Sequence, residues 1–375
     1  MANSIQRHFG KLPDPRRAQG RRHSLADMMV LAVTAVICAA DSWSDVRDFG
    51  RAKLKWFKTF LDLPYGIPSQ DTFERVFARL DPEAFERCFL EWTQALAVAS
   101  GGKLVAIDGK RIRRSFAHAW AQSTAVHLVS AFVVANATVF AQLAVESKEN
   151  EIVAIPKLLA LLDLHEATVT IDAIGCQTAI AQQIVEQGGD YVLAVKDNQP
   201  GLARALRADL DDLIREKFQG VSHDYYESVT GDHGRIETRR VWTTAQIDWL
   251  GEERRRWPGL RSVAVVESQR QVAAPGETCE RRYYISSLDG RDAARIATAI
   301  RSHWDIENQL HYVLDVSFNE DQCRVRKSHG AENFSRIRRV ALNLLRRETT
   351  RKRGIKGKRL NAAWDHDYLL KLLTG

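Results

Sequence analysis

The sequence predicts an α/β protein: a mixed sheet that carries the chemistry, a strand-rich insertion within it, and an all-helical segment before it. Three observations lead there. Residues 24–99 hold apolar positions at helical spacing, with capping residues where each segment starts. From 103 to 195, short apolar runs alternate with helical stretches. From 221 to 288 the chain returns to short strands at hairpin spacing.

The elements follow in order. Residues 1–23 are polar, basic and proline-bearing (Leu12-Pro13-Asp14-Pro15) and read as a basic arm. Ser24 is the N-cap candidate of a helix over 25–40, and further helices are expected over 43–62, 69–79 and 81–99. Ser69 and Asp71 suit the third start, and Pro82 stands at the first position of the fourth, where a missing N–H costs nothing. Ser100-Gly101-Gly102 reads as a hinge. Strands are expected over 103–107, 126–134 and 138–146, then a helix over 151–163, a strand over 168–171, a helix over 177–187 and a strand over 191–195. A polar helix over 201–218 precedes strands at 225–230, 236–243, 262–269 and 281–286, and beyond 291 the chain is helical again. The expected organisation is a helical DNA-binding or association domain over 24–99, a core from 103–220 and 289–350, an insertion over 221–288, and a basic tail over 351–375.

Charge narrows the partners. The 375 residues carry a net +7, and 14 Lys or Arg against two acids fall between 324 and 359. That stretch holds +12, so the remainder is close to −5. A second basic cluster (Arg7, Lys11, Arg16, Arg17, Arg21, Arg22) opens the chain. Two basic patches on a near-neutral body are the footprint of a protein that meets a polyanion; a solvated C-terminal helix would give the same count. The five cysteines are scattered without a CxxC pair, which speaks against structural zinc or a disulfide framework and for a reducing cytosol. The most apolar run, 28–40, is shorter than the roughly 20 residues a membrane span needs, so it reads as a buried helix and no membrane partner is expected. No P-loop and no strand-linked GxGxxG is present, which excludes the familiar nucleotide-binding chemistries.

Two segments match each other: Leu104-Val105-Ala106-Ile107-Asp108-Gly109 and Val169-Thr170-Ile171-Asp172-Ala173. Each is a short apolar strand that ends in Asp and then a small residue. In an open α/β sheet, ligands gather at the carboxyl ends of the strands, and two Asp there can share a hard divalent cation; alternatively each Asp caps its own turn. Further on, Ile300, Trp304, Glu307, His311 and Leu314 fall at spacings of 4, 3, 4 and 3, the buried stripe of one helix. A carboxylate in that stripe must be protonated, paired (Arg301 and Arg113 are the candidates) or bound to metal. Three carboxylates on a basic protein suit metal-assisted phosphoryl transfer on nucleic acid.

Six motifs then carry a resemblance: residues 8–17 (HFGKLPDPRR), 106–110 (AIDGK), 171–177 (IDAIGCQ), 195–200 (VKDNQP), 233–239 (HGRIETR) and 303–308 (HWDIEN). In this order, spread from about residue 5 to 347, they resemble the H-repeat-associated family of bacterial insertion-sequence transposases, a branch of the DDE enzymes. The resemblance implies an RNase H-like core, catalysis and metal binding by Asp108, Asp172 and Glu307, and Mg²⁺ or Mn²⁺ as a pair of ions. It implies double-stranded DNA as partner, at terminal inverted repeats and target sites, with strand cleavage and transfer as the reaction, a homodimer on DNA, and a cytoplasmic, nucleoid-associated location. A structure-specific nuclease with the same core, or a DNA-binding relative that has lost catalysis, are the alternatives. Many related transposases place Tyr and Arg seven and four residues before the Glu and Lys seven after; here those positions are Ile300, His303 and Leu314. Those phosphate contacts do not carry over, although His303 can stand in for part of the Arg.

Further candidate DNA contacts are Lys196 and Asn198 after the last core strand, Arg235 and Arg239 on one strand face, and Lys110, Arg111, Arg324, Arg326 and Lys327. In the helix over 333–347, Phe334, Ile337, Val340 and Leu344 are expected to face inward, with Arg336, Arg338, Arg339, Arg346 and Arg347 largely outward.

Overall fold

The computed structural model describes residues 4–96, 104–115, 125–145, 151–232, 235–272 and 277–374; the Ser100-Gly101-Gly102 hinge lies outside them. The described strands are β1 (Leu104–Arg111), β2 (His127–Val133), β3 (Thr138–Val145), β4 (Thr168–Ile171), β5 (Asp190–Val195), β6 (Asp224–Asp232), β7 (Arg235–Thr244), β8 (Ser262–Val272) and β9 (Glu277–Ser286). The chain divides into two compact units. One comprises 1–101, 109–150 and 307–375; the other comprises 102–108 and 151–306.

In the second unit the strands run in the order β1-β4-β5-β9-β8-β7-β6. β1, β4 and β5 are parallel neighbours, with Ile107 opposite Ile171 and Ile171 opposite Leu193. Parallel strands are covered on both faces, and Val105, Ala106, Ile107, Val169, Thr170 and Ile171 are all buried, which is why these segments read as unbroken apolar runs. β9 then joins β5 antiparallel (Val192 opposite Ser286), and β9, β8, β7 and β6 continue as a meander. The strand-rich stretch over 221–288 therefore extends this sheet. The helix Ala293–Asp305 lies on it, with Ile296, Ala297 and Ile300 packed into a cluster with Val192, Val241, Ala264, Val266 and Tyr284.

In the first unit, the helix Leu25–Ile37 is buried along almost its whole length. It packs against the helix Gly330–Arg347, which also meets Gln70–Arg79 and Pro82–Leu96. Trp43 stacks on Phe73 and Phe77 and meets Phe334 edge-on at 4.7 Å between centroids. The ends of the chain are more ordered than their composition suggests. Ser4–Phe9 is a helix whose Ile5 and Phe9 are buried, Phe9 against Phe85 at 5.6 Å. Ile5, Phe9 and Leu12 fall at helical spacing, a signal masked by the surrounding Lys and Arg. The expected basic tail contains two helices, Ile355–Trp364 and His366–Thr374, seated by buried Tyr368, Leu369, Leu372 and Leu373.

The main departure concerns Gly330–Arg347. Arg336, Arg338 and Arg339 were expected outward, yet all three are fully buried, because other elements surround this helix and leave it no solvent face. Arg336 donates to Glu86 (2.7 Å) and Glu332 (3.0 Å), and Arg339 donates to Glu320 (2.9 Å). The Arg338 guanidinium lies 4.5 Å from the Phe334 ring centroid. Arg346 is mostly enclosed too and donates to the Ala137 and Gln309 carbonyls, leaving Arg347 as the exposed member of the set.

Burial pushes the Glu320 carboxyl up, but Arg339, Arg338 and Lys110 outweigh that and hold it down to about 2. A carboxyl whose folded pKa lies below its unfolded value stabilises the fold above the unfolded pKa and loses that contribution as pH falls. Wild-type melting temperature should therefore drop as pH falls from about 4.5 towards 2, the interval between the ordinary and folded values. Arg339→Met, which leaves Glu320 buried without its cation, should cost roughly 3–5 kcal/mol near neutral pH in chemical denaturation. A loss below about 1 kcal/mol would show the pair to be dispensable.

Candidate active site

Register alone brings the two aspartates side by side. Ile107 pairs with Ile171 on parallel β1 and β4, and the next residue on each strand is Asp108 and Asp172. Asp172 follows the last residue of β4, whereas Asp108 lies within β1, which runs on to Arg111 past the expected end at 107; both stand one residue beyond the last β1–β4 pair. The turn after β4 is tightly built: Asp172 Oδ1 accepts from Ile174 N–H at 3.0 Å, capping the 3₁₀ turn Ala173–Gly175. Gly175 is required there, since a Cβ would fall within 2.2 Å of the Ile171 side chain. Asn198, expected as a DNA contact, donates to the Ala173 carbonyl of that turn, and Gln199 donates to the Cys176 carbonyl at 3.0 Å. The 195–200 motif thus braces the turn that carries Asp172. Lys196 beside it is exposed.

Glu307 has a different setting from the one its spacing suggests. The helix Ala293–Asp305 gives way to a π turn over Ile306–His311 before Tyr312–Phe318 resumes. A π turn takes more than 3.6 residues per turn, so the stripe loses phase at the carboxylate. Ile306 and Leu310 take the inward positions, Trp304 is 40% exposed, and the Glu307 side chain is 56% exposed. The expected buried carboxylate is in fact half open. Its partner is neither Arg301 nor Arg113: His311 Nδ1 lies 2.9 Å from Glu307 Oε2, while Arg113 is held by Asp321 at 3.1 Å. The His311 hydrogen bond, with Lys110 in support, keeps the Glu307 carboxyl below its ordinary range despite partial burial.

In the second unit, Asp108 and Asp172 each follow the Ile107–Ile171 pair and offer carboxylate oxygens, the donors that a hard divalent ion takes. One Asp172 oxygen is engaged by its own turn. In the first unit, Glu307 and buried His311 add a carboxylate and an imidazole one helical turn apart. His311 is the residue that spacing singled out only as part of an apolar stripe; its i+4 relation to Glu307 was the available signal.

The remaining candidates divide. Lys110 is buried, its Nζ 2.5 Å from Asp315 Oδ2 and 3.9 Å from Asp321, so it ties the end of β1 to the helix after the π turn and does not face solvent. Arg326 donates to the Arg114 carbonyl at 3.0 Å. His303 Nδ1 is 3.3 Å from Thr170 Oγ1, on the strand that leads to Asp172. Arg239 pairs with Glu237 of its own strand at 2.5 Å, and Arg270 on β8 reaches the same Glu237 across the strands at 3.0 Å. Arg235 opens β7, and His233-Gly234 lie outside the described residues. Arg111, Arg324 and Lys327 are exposed.

Comparison with known proteins gives this geometry its context. Residues 6–93 match the DDE_Tnp_1-associated family, and residues 99–344 match the transposase DDE domain family. Among curated relatives, "Putative transposase YncI" of Escherichia coli O157:H7 is 41% identical over 99% of this chain and 94% of its own length. "H repeat-associated putative transposase YhhI" of Escherichia coli strain K12 is 38% identical over 99% of this chain and 98% of its own. A solved piggyBac transposase synaptic complex with hairpin DNA aligns faintly, with a TM-score of 0.41 and 9% identity over 99% of this chain and 76% of that one. Two family models in sequence and relatives that match end to end leave one conclusion: the chain belongs to the DDE transposases, among their H-repeat-associated members.

Proposed function

We propose that this chain binds the terminal inverted repeats of an insertion sequence and catalyses metal-dependent DNA cleavage and strand transfer, with Asp108, Asp172 and Glu307 as its catalytic carboxylates in an RNase H-like core. The observation that carries the reading is that Asp108 and Asp172 each stand one residue past the Ile107–Ile171 pair that closes the parallel β1–β4 ladder, in a chain of this family. A Mg²⁺ or Mn²⁺ ion, or a pair of them, would supply Lewis-acid stabilisation of the phosphodiester and strengthen the acidity of its nucleophile. The protein's own work is placement. Ile174 N–H orients one Asp172 oxygen and leaves the other for the cation. His311 orients Glu307 from a buried, fixed position, so that an exposed carboxylate keeps one rotamer. Lys110, paired with Asp315, fixes the end of β1 two residues beyond Asp108.

DNA is held by exposed cations. Lys196, beside the Asp172 turn, and Arg111, Arg324 and Lys327 are exposed and take the phosphate contacts. The helical domain over 24–99, with the basic segment before it, recognises the element's ends, and the active species on DNA is a homodimer in the cytoplasm.

Three outcomes test this. Asp108→Asn should abolish cleavage of inverted-repeat DNA in Mg²⁺ and leave DNA affinity unchanged or higher, because a negative charge near phosphate is gone; cleavage at the wild-type rate would disprove the assignment. Glu307→Gln should lose cleavage while its melting temperature in EDTA stays near wild type, since Glu307 is exposed and holds no buried cation. A large destabilisation with cleavage retained would make Glu307 structural. His311→Ala should lower metal affinity or activity by roughly 10–100-fold, as removal of an orienting partner does. Strand transfer is read separately with a donor end that carries a free 3′-OH, where joined product separates transposition from simple hydrolysis.

A further inference from the structure

The three fully buried arginines of Gly330–Arg347 are not equally served. Arg336 has Glu86 and Glu332, and Arg339 has Glu320. Arg338 differs: among the described residues, none of its three side-chain nitrogens meets a hydrogen-bond partner. The Phe334 ring attracts the guanidinium at 4.5 Å, but a ring face gives the in-plane N–H groups nothing to donate to. A guanidinium also keeps its charge at any pH the fold survives, so Arg338 cannot shed its proton as a buried lysine does. A sealed cation without an acceptor is among the costliest arrangements a core can hold.

The surroundings add positive charge and further donors. Arg359, on the helix Ile355–Trp364, is buried and donates to the Val36 carbonyl at 2.8 Å and the Ile37 carbonyl at 3.3 Å. Burial lowers its pKa to about 10; Asp41 opposes that and Arg338 adds to it, so the three charges share one neighbourhood. Trp43 packs edge-on against the same Phe334 ring, and its buried indole N–H has no acceptor among the described residues. Arg338, Arg339 and Trp43 together leave six buried donor nitrogens without partners, against two acceptor oxygens, Asp41 Oδ1 and Glu320 Oε2. Water brings donors along with acceptors and cannot correct such an excess. An anion only accepts, and it also supplies the missing charge.

We propose that this cluster binds one halide ion, ordinarily chloride, on the Arg338 guanidinium, with the Trp43 indole N–H as a further donor. Burial of Arg338, Trp43 and Phe334 favours an ion that is small and singly charged; phosphate and sulfate carry more charge and cost more to strip of water. The ion joins two parts of the first unit, the start of the helix Trp43–Ala52 and the middle of Gly330–Arg347, and it offsets the charge of Arg359 on a third.

Crystals of the full chain grown or soaked in bromide test the proposal directly, because bromide replaces chloride and scatters anomalously. An anomalous peak within hydrogen-bond reach of the Arg338 nitrogens is expected; water or a protein carbonyl in that place overturns the proposal. In solution, the melting temperature of wild type should rise along a saturating curve as chloride replaces gluconate at fixed ionic strength. Arg338→Met should lose that response and, in gluconate, melt at or above wild type, because an unpaired buried cation is gone. Trp43→Phe, which removes the indole N–H and keeps an aromatic ring, should need roughly 10-fold more chloride for the same rise, the weight of one hydrogen bond to a charged group. A chloride response of equal size in Arg338→Met, or a wild-type melting temperature indifferent to chloride, overturns the proposal. If Arg338→Met does not fold, the bromide position in wild-type crystals decides alone. No DNA enters either measurement, so the outcome is separate from that of the DNA reading above.

Discussion

A carboxylate sealed away from water survives as an anion only if a cation is sealed in with it, and the first unit is organised around two such pairs. Glu320 is fully buried and answered by Arg339; Glu86 is nearly so and answered by Arg336. Both arginines belong to the helix Gly330–Arg347, which therefore cannot shift without stranding a charge. Breaking one partner of such a pair costs far more than the pair contributes, so it acts as a constraint on position more than as a source of net stability. Around that fixed helix lie Leu25–Ile37, Gln70–Arg79 and Pro82–Leu96. Asn333 adds to the hold by donating to the carbonyls of Phe77 and Leu80, at the end of Gln70–Arg79.

The same economy of charge governs the residues beside the candidate site. Lys110 is buried two residues past Asp108 and is matched by Asp315 and Asp321. Burial raises the Asp315 carboxyl, and the Lys110 hydrogen bond pulls against it. The pairing joins the end of β1 to the helix that follows the π turn. A π turn lacks the regular i→i+4 ladder, and such turns recur at functional positions because they turn a side chain out of the packed face. Here the turn exposes Glu307 and keeps His311 inside, so a buried imidazole can orient an open carboxylate.

Several residues that look like DNA contacts in sequence also engage neighbouring parts of the chain. Asn198 and Gln199 hold the turn after Asp172, and Arg239 and Arg270 both engage Glu237. Polar motifs of this kind bear on the active site through the backbone they fix. The other candidate cations, Lys196, Arg111, Arg324 and Lys327, are exposed and lie in loops or at strand ends.

The sequence by itself determined the apolar runs that lead to Asp108 and Asp172, because parallel strands covered on both faces must be apolar; it did not show that β1 continues past Asp108 to Arg111. It also determined the hairpin strands over 221–288 to within a few residues, since alternation and turn residues are local properties. What only the tertiary structure decided was where each charge ends up. Arg336, Arg338 and Arg339 have the outward spacing of a solvated helix face, and nothing within 18 residues of helix reveals that other elements enclose it. Glu307 has the inward spacing of a stripe, and the π turn that carries it outward is not written in a 3.6-residue period. The attachment of β9 to β5, which joins the strand-rich stretch to the parallel core, was likewise invisible. Periodicity reports the faces of an isolated element; the partner of each face is set by contacts between residues far apart in the chain, and these exist only once the chain has folded.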